Sequence, residues 1–129
     1  MKHVIISIKP KYVEKILNKQ KLIEFRKQIW KENVNGFFIY CSAPIKKIVA
    51  YVEIERIDED TPHNLWKKYK EIGGINEEEF FEYFKNKTKA YGILIKNVHL
   101  IEPICPYQKL NDFHPPQSFM YLREKFIQI

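Results

Sequence analysis

SIKPKYVEKILNKQKLIEFRK, residues 7–27, sets seven basic side chains against two acids, and its hydrophobic spacing changes twice. Up to Ile8, the β-branched run HVIISI (3–8) reads as a strand. Pro10 then stands where a helix opens. Tyr12, Val13, Ile16 and Leu17 recur at four-residue spacing, giving one apolar stripe with Lys11, Glu14, Lys15 and Asn18 outward. In LIEFRK (22–27) the period becomes two, so Leu22, Glu24 and Arg26 share one side and Ile23 and Phe25 the other. Strand, short amphipathic helix and strand thus follow one another without a linker, and Glu24 and Arg26 are neighbours on one face.

Outward from this stretch, GFFIYCS (36–42) is an aromatic strand that Pro44 ends. In KKIVAYVEIERI (46–57), alternation places Ile48, Ala50, Val52 and Ile54 on one face and Val49, Tyr51, Glu53 and Glu55 on the other. Thr61-Pro62 is a helix start, with Leu65, Trp66 and Tyr69 inward until Gly73-Gly74 breaks the chain. Asn76 and Glu79 have capping-box spacing, flanked by Ile75 and Phe80 as a hydrophobic staple, and Phe80, Phe81 and Phe84 face inward. AYGILIKNVHLI (90–101) returns to strand character. Pro103, Pro106 and Pro115-Pro116 predict a tied-down loop before a closing segment, FMYLREKFIQI (119–129). Adjacent strands are mostly too close in sequence for parallel crossovers. The pattern predicts an α+β domain over residues 1–129, a mixed or antiparallel sheet curled into a small barrel with short helices at its rim.

The 129 residues, 45% hydrophobic and 15% aromatic with four glycines, suit one globular domain and exclude a disordered or low-complexity chain. No segment approaches the ~18 apolar residues of a membrane span. MKHVIISIKPK has too short an apolar run for a secretory signal, so a cytoplasmic protein with no membrane partner is expected. Cys41 and Cys105 lack metal-ligand and redox-motif spacing and read as buried reduced thiols. Of the net charge of +6, residues 1–31 carry +7, while acids cluster in EIERIDED (53–60) and NEEEFFE (76–82). Such an electrically polar molecule can concentrate a polyanion on one face.

Gly73-Gly74 has no Lys or Ser/Thr at the spacing of a phosphate loop. Histidines 3, 63, 99 and 114 are scattered, so neither a metal nor another cofactor is expected. Ser42 and Ser118 lack the elbow glycines of hydrolases. What remains is Lys21, Glu24 and Arg26 beside Lys9. Two readings stay open: an exposed salt bridge on a solvated face, or the wall of a site in which these groups contact phosphate, base edge and each other.

Residues 7–27, the strand pair YCSAPIKKIVAYVEI (40–54) and the late PPQSF (115–119) with its following Tyr121-Leu122 resemble the ASCH family, whose domains have a PUA-like barrel. The characteristic element is a short helix, a turn that usually contains glycine, and Lys-x-x-Glu-x-Arg, here Lys21, Glu24 and Arg26. The chain is most similar to the small stand-alone type described as RNA-binding or as transcriptional regulators. The resemblance implies a cleft between barrel and helices. PUA-like relatives bind RNA, and several related families take a modified base into a pocket. Some ASCH proteins are enzymes, either amidohydrolases acting on N4-acetylcytidine through a Lys, a Thr and a Glu, or ribonuclease-like. Lys21 matches that lysine, but Glu24 stands in the place of the threonine and cannot supply its hydroxyl. Asn18-Lys19-Gln20 occupies the turn without a glycine, and Glu71 and Glu78 are the candidates for the acidic role.

The leading expectation is therefore a nucleic-acid-binding domain, with RNA or a nucleoside-like ligand as partner. Lys9, Lys21 and Arg26 would neutralise phosphates, and Glu24 would orient Arg26 or accept from a base amino group. Tyr40, Tyr91 or Phe119 would stack on a base, and Ser42, Gln117 and Ser118 would bond to it. The alternative is an enzyme of the same fold using Lys21 and Glu24 as acid and base. A protein-interaction adaptor is a third reading.

Overall fold

The computed structural model describes residues 3–109 and 113–122. Strand β1 (His3–Ile8) lies parallel to β3 (Gly36–Cys41), with Val4 opposite Phe37 and Ile8 opposite Cys41. Helix α1 (Pro10–Leu17) and strand β2 (Ile23–Arg26) come between them in the chain, and β2 runs off to the far edge of the sheet. Strands β4 (Lys47–Asp60), β5 (Ala90–Ile104) and β6 (Phe119–Leu122) complete the order β2-β5-β4-β3-β1-β6. All other pairings are antiparallel. The expected mixed sheet with helices at its rim is thus what the chain forms, curled into a half-barrel.

Period-two alternation sorts the strand residues between cores. Val4, Ile6 and Ile8 of β1 and Phe37 and Ile39 of β3 meet Val13 and Ile16 of α1 in the first core. Ile5, Phe38 and Tyr40, one residue out of phase, meet Phe113 and Leu122 on the opposite face. Each such buried Ile or Phe contributes about 1.5–3 kcal/mol, and a one-residue slip would exchange the two sets, so the register is tightly specified.

Strand β4 corrects one expectation. Ile39 pairs with Ala50 but Tyr40 pairs with Ile48, so Val49 is an extra residue, a β-bulge. Ile48 therefore joins Tyr51 in the second core, while Val49 packs against the first beside Ala50 and Val52.

A third core lies between β2 and the helices. Ile23 and Phe25 of β2 pack on Leu65 of α2 (Pro62–Tyr69), and on Phe80 and Phe84, in and just after α3 (Glu77–Tyr83). Both caps form: the Thr61 hydroxyl accepts from the Asn64 N–H, and the Asn76 side-chain oxygen accepts from the Glu79 N–H at 2.8 Å. The Glu79 carboxylate returns to the Asn76 side-chain amide, at 3.2 Å, a variant of the expected box. In the proline-rich stretch expected as loop, Pro106–Lys109 forms a short helix, α4. The closing segment enters β6, and its residues 123–129 lie outside the described ones. Cys41 is buried as expected, whereas Cys105 is only half-buried, and the two are not joined in a disulfide. Among the described residues, no helix is long and apolar enough to cross a membrane.

Candidate functional site

A cleft of about 720 Å³ opens between β2, the junction of β1 with α1, and α3. On its floor lie Lys21, Glu24 and Arg26, at 3%, 6% and 9% exposure the buried charged side chains among the described residues. Local structure delivers them. Helix α1 ends in a Schellman turn, in which the Gln20 N–H donates to the Lys15 carbonyl and the Lys19 N–H to that of Ile16. Lys19 takes the left-handed conformation (φ 65°) in the place where glycine is usual. The chain reverses there and sends Lys21 inward at the start of β2.

The Lys21 ammonium donates to the Gly73 carbonyl at 2.6 Å and lies 3.7 Å from Glu24 Oε1. The rings of Phe25 and Tyr12 flank it at 5.2 and 5.4 Å. Burial pushes its pKa down, and the Glu24 carboxylate opposes that shift. Glu24 Oε2 is 3.3 Å from Arg26 Nη1, and Arg26 Nη2 donates to the Ser118 carbonyl at 2.9 Å. The carboxylate is shared between two cations, and Arg26 ties β2 to the loop before β6. Buried charges persist only when compensated in this way.

The rim is acidic and aromatic. Helix α3 presents Glu78, Glu79, Glu82 and Tyr83 to the cleft. Glu79 accepts from the Tyr12 hydroxyl and from Lys11 Nζ, 2.9 Å away. These bonds, Tyr12's first, hold its carboxyl at about 2 and clamp α1 to α3. Lys27 Nζ caps the Tyr83 ring at 4.4 Å, and burial pushes the Tyr83 hydroxyl up.

Of the residues expected from sequence, Lys9, Lys21, Glu24, Arg26, Ser42 and Gln117 line the cleft, and Ser118 contributes its carbonyl to Arg26. Tyr40, Tyr91 and Phe119 do not line it. Tyr40, at 1% exposure, is second-core packing with its hydroxyl 3.2 Å from that of Tyr107, because its place in β3 points it to the other face. Tyr91 and Phe119 line a separate hollow. One more expectation changes. The Glu24 pairs are buried, so the solvated salt bridge is overturned, and Lys21 and Arg26 each have a protein carbonyl as acceptor. Of the two acids considered, Glu78 lines the cleft and Glu71 does not.

Sequence reasoning missed Tyr12, Tyr83, Glu79 and the Gly73-Gly74 turn. Tyr12 belongs to the apolar stripe, which reads as core. Gly73-Gly74 reads as a break. In the structure it is the wall against Lys21, with Gly74 at φ 60° and a Cβ there only 2.6 Å from Lys21 Cβ. Among the described residues, no group of three or more His, Cys, Asp or Glu is placed to hold a metal ion.

The family described as "Domain of unknown function (DUF365)" matches residues 1–120. A curated protein of Zymomonas mobilis, named ASCH domain-containing ribonuclease, is 28% identical over 131 residues, which cover 98% of this chain and 88% of that protein. The crystal structure of ASCH from Zymomonas mobilis matches with a TM-score of 0.87 at 27% identity, over 95% of this chain and 88% of the other. Large ribosomal subunit protein uL22 of Ureaplasma parvum is 24% identical over 93% of this chain, which corresponds to 39% of that protein.

Proposed function

The chain belongs to the DUF365 family and is an ASCH domain of PUA-like fold, and we propose that it binds RNA by taking a base into the cleft above Lys21, Glu24 and Arg26. The observation that carries this reading is a buried, internally compensated ion cluster on the floor of a cleft with aromatic walls. A bare cationic pocket would favour phosphate. Here the cationic charge is met within the protein, so the floor offers fixed donors and acceptors, the chemistry of a base edge. Tyr12 and Tyr83, half-buried at the rim, supply the faces against which a base stacks. Phosphates would meet Lys9 at the mouth and the exposed lysines of the basic N-terminal third. The name of the Zymomonas relative supports RNA as the partner class.

The test is binding of short single-stranded and hairpin RNAs at two salt concentrations. Wild type should bind with affinity that falls as salt rises, and Lys21→Ala and Arg26→Ala should each weaken binding by about tenfold or more, the loss of roughly 1.4 kcal/mol. No binding, or binding indifferent to both substitutions, would reject the cleft.

Turnover at the same cleft is the second reading, favoured by the likeness to a protein named a ribonuclease and by the lowered pKa of Lys21. Glu24 would then act as base, taking the proton of the attacking ribose hydroxyl, and the Lys21 ammonium as acid, protonating the leaving oxygen. RNA cleavage lost in Lys21→Ala would establish it. Parallel incubation with N4-acetylcytidine separates an amidohydrolase, for which Glu24 lacks the threonine hydroxyl.

A further inference from the structure

Beside the cleft, a hollow of about 390 Å³ is lined by Lys27, Gln28, Lys31, Tyr91, Phe119 and Tyr121. Its chemistry differs from the cleft's. The cleft rim carries three glutamates from α3, whereas among the described residues the lining of this hollow has lysines and no carboxylate. Lys27 and Lys31 are exposed, and Tyr91, Phe119 and Tyr121 are half-buried. The rings are braced from behind: Trp30 meets Phe119 edge-to-face at 5.6 Å, and Phe119 meets Tyr121 likewise at 5.6 Å. The Lys31 N–H donates to the Tyr121 hydroxyl at 3.2 Å, fixing the wall that carries the lysine. An aromatic surface held rigid beside the exposed Lys31 can stack a base while neutralising its phosphate, with little ordering needed on binding.

Both walls of the hollow continue those of the cleft. On one side, Arg26 on the cleft floor is the cross-strand partner of Tyr91, and the next residue, Lys27, lines the hollow while its ammonium caps Tyr83 of the cleft rim. On the other side, Gln117 lines the cleft, the Ser118 carbonyl takes Arg26, and Phe119 lines the hollow. We propose that this hollow is a second nucleotide subsite, which stacks a base and holds the phosphate of a single-stranded RNA as it leaves the cleft. This rests on the cleft reading and adds to it. The bound segment spans more than one nucleotide, and its phosphate contact lies on the Lys31 side, away from the acidic α3.

The experiment titrates wild type, Tyr91→Leu, Lys31→Gln and Lys21→Ala with a single-stranded hexaribonucleotide and with a mononucleotide cut from it. Stacking is worth about 1–3 kcal/mol per base, so Tyr91→Leu should weaken the hexanucleotide at least about fivefold. Lys31→Gln should lower the slope of log affinity against log salt by about 0.7, one phosphate contact. Neither should change the mononucleotide, which fills only the cleft, and Lys21→Ala should weaken both ligands. Tyr91 sits within β5, so its variant is compared by circular dichroism with wild type, and exposed Lys31 gives an independent readout. Unchanged hexanucleotide binding in Tyr91→Leu and Lys31→Gln, with loss in Lys21→Ala, overturns the second subsite and leaves the cleft standing. Loss in Tyr91→Leu with Lys21→Ala silent supports the hollow and overturns the cleft. No binding of either ligand by wild type overturns both, and equal competition by a duplex overturns the single-stranded track.

Discussion

Lys21 donates its ammonium to the carbonyl of Gly73 at 2.6 Å across 52 residues of chain, so the turn between α2 and α3 holds the floor of the cleft in place. The Leu22 N–H to the Ile72 carbonyl, at 2.9 Å, continues the seam. Gly74 is the residue that lets the turn come this close. At φ 60°, with a built Cβ 2.6 Å from Lys21 Cβ, it meets both conditions that exclude a side chain. Gly74→Ala should cost about 1–3 kcal/mol in urea unfolding and weaken RNA binding by displacing Lys21. Wild-type stability in that variant would show that the turn does not press on Lys21.

The three buried charges are unequal in what their removal leaves behind. Glu24→Ala strands Lys21 and Arg26 without their shared carboxylate and should cost about 3–5 kcal/mol. Lys21→Met leaves Glu24 paired with Arg26 through Oε2, removes the cost of burying an ammonium, and deprives the Gly73 carbonyl of a donor and Glu24 Oε1 of its second cation. About 1–2 kcal/mol is expected. Urea midpoints of the two variants give the order, and a Lys21→Met protein less stable than Glu24→Ala would contradict it.

Strand and helix positions were legible because they depend on local spacing. The four-residue stripe of Tyr12, Val13, Ile16 and Leu17, the Thr61 and Asn76 caps, and the two-residue period that sets Glu24 beside Arg26 all recur in the structure. What escaped depends on registry between distant segments. A single bulge at Val49 moves Ile48 to the other core, and no local pattern marks it. Tyr40 and Tyr12 look alike as aromatics in apolar runs. Only the pairing of β3 within the sheet and the packing of α1 against α3 decide that Tyr40 is core and Tyr12 is cleft. Gly73 and Gly74 carry no side chain to signal a partner, so their contact with Lys21 was invisible before the turn was placed.

Lys19 bears a left-handed backbone at φ 65° in a turn whose hydrogen bonds are already complete. A β-carbon there costs roughly 1–2 kcal/mol relative to an unstrained residue, and glycine removes the strain while adding unfolded-state entropy. Lys19→Gly should therefore stabilise the protein by about 0.5–1 kcal/mol. Thermal unfolding measures it, and a lowered midpoint would refute the assignment of strain to this residue.

The clamp between α1 and α3 should fail in acid. Glu79 is held at about 2, against 4.5 for an ordinary glutamate, by bonds from Tyr12 and then Lys11. Its folded pKa lies below its unfolded one, so the stabilisation is fully present above 4.5 and is lost as pH falls toward about 2. Wild type should lose more melting temperature than Glu79→Gln over that window. Parallel curves would mean that the carboxylate contributes nothing to the clamp.

At the alkaline end, Lys21 should make stability and binding move in opposite directions. Burial lowers its folded pKa below the ordinary 10.5, so between those two values the unfolded chain holds a proton that the folded chain has released. Stability relative to Lys21→Met must then rise with pH through that window, a comparison that cancels the contribution of the tyrosines. The neutral amine no longer supports the charge of Glu24 or donates as strongly to a bound base, so RNA affinity should fall over the same range, before ordinary lysines titrate. Unfolding free energies and RNA affinities of wild type and Lys21→Met, measured from pH 7 to 11 at constant salt, test both limbs. Affinity that falls only above 10.5 would place the titrating lysines on the surface and remove Lys21 from the binding site.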